Sequence, residues 1–193
     1  VRPGGGRIGL YAKGRVMGAH VIGVVGPSGV GKDTVMHALA TAHPDIRLAR
    51  RVITRPEEAG GEDFDALSEA GFDLRVAEGG FALWWEAHGL RYGIPQEEVA
   101  GEDTILVNLS RTVLGAARAR FEHFAVLSLV AAPETLAARL AARGRESREE
   151  VAARLARAEF VRPKGADVIE ISNDGALEDT VAQALDALYP VRV

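Results

Sequence analysis

Gly26, Pro27, Ser28, Gly29, Val30, Gly31 and Lys32 run consecutively and spell GxxxxGK, the spacing of a phosphate-binding loop. Glycines let backbone N–H groups wrap phosphate oxygens, a following helix adds the favourable end of its dipole, and Lys32 contributes a point charge. The apolar run Val21–Val25 before the loop and the amphipathic run from Lys32 to Ala42 after it separate the motif from a chance glycine turn. The residue after the lysine is ordinarily Ser or Thr, whose hydroxyl meets Mg²⁺; here it is Asp33, with Thr34 behind it. A carboxylate is a good ligand for a hard cation, so Asp33 and Thr34 are the candidate metal-side residues. Capping or ion pairing is the other reading of Asp33. A second chemistry-bearing group lies downstream, where Arg139, Arg143, Arg145 and Arg148 cluster around Gly144 and Arg154 follows. Arg139 and Arg143 are four apart and share a helical face. Alone, beside Glu146, Glu149 and Glu150, they read as a solvated, ion-paired helix pair. Beside a phosphate loop they read better as a lid whose guanidinium groups stabilise a transferring phosphoryl group.

The elements that must position these groups alternate. Val21–Val25, Ile105–Val107, Phe124–Val130 and Val168–Ile171 are short apolar runs of the kind buried on both faces of a parallel sheet. Helical segments at Lys32–Ala42, Arg111–Arg120, Pro133–Arg143, Arg148–Phe160 and Leu177–Leu188 lie between and after them. The pattern predicts an α/β fold of three layers, helix, parallel sheet and helix. Residues 51–100 break the rhythm with glycines, scattered aromatics and short alternating pieces, and read as an inserted substrate lobe; residues 139–157 read as the lid. Val1–Val16 holds five glycines, four basic residues and no acid, which is the composition of a flexible extension, with Met17 as an alternative biological start. Residues 17–193 are then one domain.

Composition narrows the function classes. With 23 basic against 27 acidic residues the net charge of −4 argues against nucleic acid as the main partner. The absence of cysteine excludes disulfides, thiolate metal sites and cysteine nucleophiles. Apolar runs fall short of the ~20 residues of a membrane span and no secretory signal pattern is present, so the expected compartment is the cytoplasm. The histidines show no metal-ligand or triad spacing, and only His88 is a candidate for the wall of an acceptor pocket.

Taken together, the chain from about His20 to Tyr189 resembles the guanylate-kinase superfamily. The phosphate loop opens the resemblance. Thr54-Arg55 matches a substrate-phosphate arginine, Tyr92-Gly93 a phosphate-binding tyrosine, and Arg139, Arg143 and Arg154 the lid. Asn173-Asp174 falls where that superfamily's loop approaches adenine. The departures run in one direction: Phe64 replaces a second tyrosine, and Leu83 and Ile94 stand where guanine would be read. Apolar residues there leave a base unpaired. Gly31-Lys32-Asp33, Arg51–Arg55, Trp85–Gly93, Val107–Arg111 and Asn173–Gly175 are instead similar to one branch, the ribose 1,5-bisphosphate phosphokinases of phosphonate catabolism.

That resemblance implies transfer of the γ-phosphoryl group of ATP, with Mg²⁺, to a sugar phosphate. Residues 26–34 and Asn173 would bind ATP, and Lys32, Arg139, Arg143 and Arg154 would act on the transferring group. A sugar bisphosphate carries two phosphates and no base, so its site needs cations and polar donors. Arg51, Arg55, Arg91 and Tyr92 in the lobe, with Asn108, Ser110 and Arg111 at a strand end, form the expected acceptor set. The acceptor oxygen is ionised near neutrality, so positioning and charge neutralisation replace a strong general base. A guanylate or other nucleoside-monophosphate kinase is the alternative; a non-catalytic module is disfavoured by the intact loop.

Overall fold

The computed structural model describes residues 7–9, 14–56, 63–142 and 161–190. In chain order the described strands are β1 (Ile8–Gly9), β2 (Val16–Val25), β3 (Ile46–Leu48), β4 (Arg51–Ile53), β5 (Phe64–Ala66), β6 (Phe81–Ala87), β7 (Leu90–Pro95), β8 (Thr104–Asn108), β9 (Phe121–Val130) and β10 (Val168–Ser172). The helices are α1 (Lys32–Ala42), α2 (Glu69–Ala77), α3 (Leu114–Arg120), α4 (Pro133–Ala142) and α5 (Leu177–Leu188).

Five of the strands form an all-parallel sheet in the order β10-β9-β2-β8-β3. Its strands are apolar on both sides because both faces are covered. On one face Val24, Leu127 and Leu129 pack with Val35 and Leu39 of α1, Leu136 of α4 and Ala184 of α5. On the other, Val25, Val107 and Val126 pack with Leu114 and Ala117 of α3 and with Leu83, Trp85 and Ile94 from a second sheet. The expected α/β class is therefore observed, with strands of the second sheet sharing one covering layer with α3. The second sheet, in the order β1-β6-β7-β4-β5, falls mostly within residues 51–100 and carries α2, whose Phe72 is fully buried against Phe81, Trp84 and Val52.

Three differences from the sequence expectation have physical reasons. β2 begins at Val16 rather than Val21, because the register shifts between Val16 and His20 and Gly18 takes φ 92°, which hides any alternation. Part of the segment expected to be an unpacked extension is engaged. Ile8 and Gly9 pair antiparallel with Trp85 and Trp84, and Arg15 donates to the carbonyls of Arg118 and Phe121 (3.3 and 3.0 Å). Arg120 fastens the same region from inside: 6% exposed, it donates to the Ala82 carbonyl (2.9 Å) and to that of Gly14, and burial lowers its pKa. Finally, the helix expected over Arg111–Arg120 is a 3-10 turn, Arg111–Val113, followed by α3, with the Ser110 hydroxyl capping the turn.

Candidate active site

β2 is flanked by β9 and β8, so the loop that follows it emerges at the middle of the sheet's carboxyl edge, where open α/β sheets bind ligands. Gly29 and Gly31 adopt φ 86° and 89°, a region that L side chains rarely enter. Between them Val30 is fully buried, so the loop is pinned to the core by one side chain. α1 starts at Lys32 with Gly31 as its N-cap, leaving the first amides of the helix without partners inside it. Lys32 Nζ folds back to the Gly26 carbonyl at 3.1 Å.

Beyond the loop opens a cleft of about 770 Å³. Gly26, Pro27, Ser28 and Lys32 form one wall, Trp85, His88 and Tyr92 of the second sheet another, and Asn108, Leu109, Ser110 and Arg111 at the end of β8 a third. Lys32, Arg51, Arg111 and Arg162 place four cations on its surface, and no Asp or Glu lines it among the described residues. Tyr92 is opposite Trp85 in the β6–β7 ladder and stacks on it at 5.4 Å. Arg51, 7% exposed, lies over both rings at 5.4 and 6.0 Å and donates to the Asn108 carbonyl at 2.8 Å. The Asn108 carboxamide in turn donates to Asp33 Oδ1 at 3.2 Å. Asn108 thus links the start of α1 to the lobe's buried arginine. His88 and Gly89 make the two-residue turn of the β6–β7 hairpin, both at positive φ (54° and 74°), which puts the imidazole at the cleft.

The structure brings most of the expected set together and moves the rest. Asp33 and Thr34 line an adjoining cavity of about 620 Å³, with Arg51 and Asn108 shared between it and the cleft. Arg91, expected among the acceptor residues, does not line the cleft. Neighbouring strand residues face opposite ways, so Arg91 turns from Tyr92 toward α2, ion-paired with Asp73 and Glu69 (2.6 and 3.3 Å) and over the rings of Phe72 and Trp84. Arg55 lies over Phe64 at 4.4 Å and lines a separate cavity of about 340 Å³, outside the cleft. Arg139 does not line the cleft either; it donates to the Val30 carbonyl at 3.3 Å. Asn173, expected at adenine, is 5% exposed and directed into the protein, donating to that same carbonyl at 2.7 Å. Arg143 and Arg154 lie outside the described residues. Leu83 and Ile94 are opposite one another and fully buried, so no polar group stands at either position.

Sequence reasoning missed Trp85 and Arg162 as cleft residues. Trp85 was findable as the ring two positions on from the buried Leu83 in an alternating strand; for Arg162 the sequence holds no signal, since only the fold returns it to the cleft. Asp174, beside Asn173, accepts from the Ala132 N–H (2.7 Å) and the Ser172 hydroxyl (2.8 Å). The Ala132 bond first, then the Ser172 and Thr135 hydroxyls, hold its carboxyl below the ordinary value.

A parallel sheet that delivers a glycine loop and lysine to a helix start, beside a cleft lined with cations and closed by a second sheet, defines a phosphate-loop kinase. The fold matches a guanylate kinase from Anaplasma phagocytophilum with a TM-score of 0.60 at 19% identity, over 90% of this chain and 86% of that one. A gluconokinase from Sinorhizobium meliloti matches at 0.53 and 18%, over 90% and 93%. No family model matches the chain. Sequence relatives narrow the class. A ribose 1,5-bisphosphate phosphokinase PhnN from Ruegeria sp. (strain TM1040) is 54% identical over 168 residues, 85% of this chain and 88% of the relative. Its namesake from Brucella melitensis is 46% identical over 178 residues, 89% and 93% of the two chains. The chain belongs to the ribose 1,5-bisphosphate phosphokinase family.

Proposed function

We propose that the protein transfers the γ-phosphoryl group of ATP to the 1-phosphate of ribose 1,5-bisphosphate, giving 5-phosphoribosyl 1-diphosphate and ADP. One observation carries the reading within this family: the cleft that continues from the phosphate loop is lined by four cations and His88 and by no described carboxylate. That suits a polyanionic sugar. A nucleobase would call for the acceptors that Leu83 and Ile94 lack.

A 1-phosphate oxygen of the acceptor forms a bond to the γ-phosphorus while the bond from that phosphorus to the β–γ bridging oxygen breaks, and ADP leaves with the electron pair. Lys32 and the amides of residues 29–32 hold the donor phosphates; Arg51, Arg111 and Tyr92 hold the acceptor, and Ser110 and Asn108 shape its end of the cleft. The acceptor oxygen is already ionised, so no general base is needed. Among the described residues there is no cluster of three or more His, Asp or Glu able to cage a metal. The donor set nevertheless fits a cation held mainly by substrate phosphates: Asp33 presents a hard carboxylate one residue beyond Lys32, and its bond from Asn108 uses only part of its acceptor capacity. When bound, Mg²⁺ supplies charge neutralisation on the β- and γ-phosphates. Residues 51–100 are read as the acceptor lobe, the partners as ATP and a small sugar phosphate, and the compartment as the cytoplasm; no described helix is long and apolar enough to cross a membrane.

The test is direct. With ATP and Mg²⁺, phosphorus NMR of a reaction on ribose 1,5-bisphosphate should show the diphosphate doublets of the product, and GMP should be turned over ~10²-fold or more slowly. Formation of GDP from GMP with no diphosphate product from the sugar would overturn the reading.

A further inference from the structure

The Val30–Gly31 peptide is held from an unexpected direction. Its carbonyl receives Asn173 Nδ2 at 2.7 Å and Arg139 Nη1 at 3.3 Å. The Asn173 carboxamide is itself held: its Oδ1 accepts from the Thr180 hydroxyl at 2.9 Å, with Thr180 1% exposed, and its backbone N–H donates to the Val130 carbonyl at 2.8 Å. The Thr180 hydroxyl has one proton and three carbonyl oxygens within reach, Asn173 Oδ1 being nearer than the main-chain oxygens of Ser172 and Ala176 (both 3.3 Å). That proton fixes which end of the carboxamide faces Val30.

The Val30–Gly31 peptide bond is trans, so the carbonyl of Val30 and the N–H of Gly31 point in opposite directions in one plane. Holding the carbonyl toward Asn173 therefore aims the Gly31 N–H away from it, to the other side of the loop. The orientation of this peptide is set by ψ of Val30 and φ of Gly31, and Gly31, at φ 89°, has the conformational freedom of a residue without a side chain. A Cβ at Gly31 would stand 3.0 Å from Asn173 Nδ2, so loop and brace are in direct contact.

We infer that Asn173, set by Thr180, is a positioning residue that orients the Gly31 amide toward the donor's phosphates and makes no adenine contact. This rests on the reading of the loop as the ATP site, so the wild-type protein is measured first. Affinities of ATP, GTP and inorganic tripolyphosphate are taken by calorimetry for wild type, Asn173→Ala, Thr180→Val and Thr180→Ser, with a melting curve for each. Asn173→Ala should weaken ATP and tripolyphosphate by the same factor, about tenfold for one lost orienting bond, and leave the ATP-to-GTP ratio unchanged. Thr180→Val should weaken both by about threefold, and Thr180→Ser, which keeps the hydroxyl, should restore them. Failure of wild type to bind ATP would remove the underlying reading. With wild type binding, either of two results overturns the inference itself: ATP weakened while tripolyphosphate is unchanged, or a lowered melting temperature with both affinities intact. Should Asn173→Ala not fold, the Thr180 pair decides on the same criteria.

Discussion

Replacing Arg51 tests the joint between the lobe and the central sheet. Its guanidinium is nearly out of solvent, donates at 2.8 Å to the Asn108 carbonyl and lies within about 6 Å of two aromatic centroids. A hydrogen bond from a charged donor contributes ~1.5–3 kcal/mol. Each ring contact adds ~0.5–1 kcal/mol. Arg51→Ala also relieves the desolvation of a buried cation, which offsets part of the sum, so a net loss of ~2–4 kcal/mol is expected. For a chain of this size each kcal/mol shifts Tm by ~2–4 °C, giving a fall of roughly 5–15 °C. Arg51→Lys keeps the charge but lacks the planar fork that bonds the carbonyl and stacks at once, so it should recover less than half of that fall. In kinetics both variants should raise the acceptor KM by about tenfold or more while ATP KM stays within about twofold. The assays are urea and thermal unfolding beside initial rates with each substrate varied. An Arg51→Ala protein with wild-type Tm, or an Arg51→Lys protein equal to wild type in both assays, would refute the joint.

Asp33→Asn should move the Mg²⁺ midpoint of activity several-fold upward while metal-free ATP binding stays the same; an unchanged midpoint leaves Asp33 only its bond from Asn108. Arg91→Ala should cost ~1–3 kcal/mol in unfolding, through lost ring packing and unpaired Asp73 and Glu69, with acceptor KM within about twofold of wild type. Asp174 has a folded pKa below its unfolded value, so its contribution is complete above the unfolded pKa and lost as pH falls through the folded one. The Tm difference between wild type and Asp174→Asn should accordingly be constant above about pH 4 and shrink below it, measured by melting curves from pH 2 to 6.

The parts of this molecule legible in its sequence are those fixed by local periodicity. The glycine loop, the start of α1 at Lys32 and the whole of α5 follow from spacing, because helix faces and turn residues are near-neighbour properties. Four strands of the central sheet were readable from their apolar runs, though not their ends, while the three-residue edge strand β3 was not. What stayed hidden depends on direction or on distant partners. Arg91 and Tyr92 are adjacent in sequence, yet one serves the lobe interior and the other the cleft, and which does which is set by the β6 pairing. Asn173 reads as an adenine-side ATP residue by resemblance, and its bond to the Val30 carbonyl is visible only in the fold. The short pairing of Ile8–Gly9 on β6 has no local signal at all.

The contact between Asn173 and Val30 spans 143 residues of chain. A ribosome releases the glycine loop long before its brace. Through most of synthesis β2 has neither neighbour, since β8 and β9 are both made later, and the Val30 peptide has nothing to hold it. Tight hold on nucleotide phosphates would then be acquired only after Thr180 has followed Asn173 out. Nascent chains and fragments ending before Asn173 would carry the whole loop motif and still fail to retain ATP.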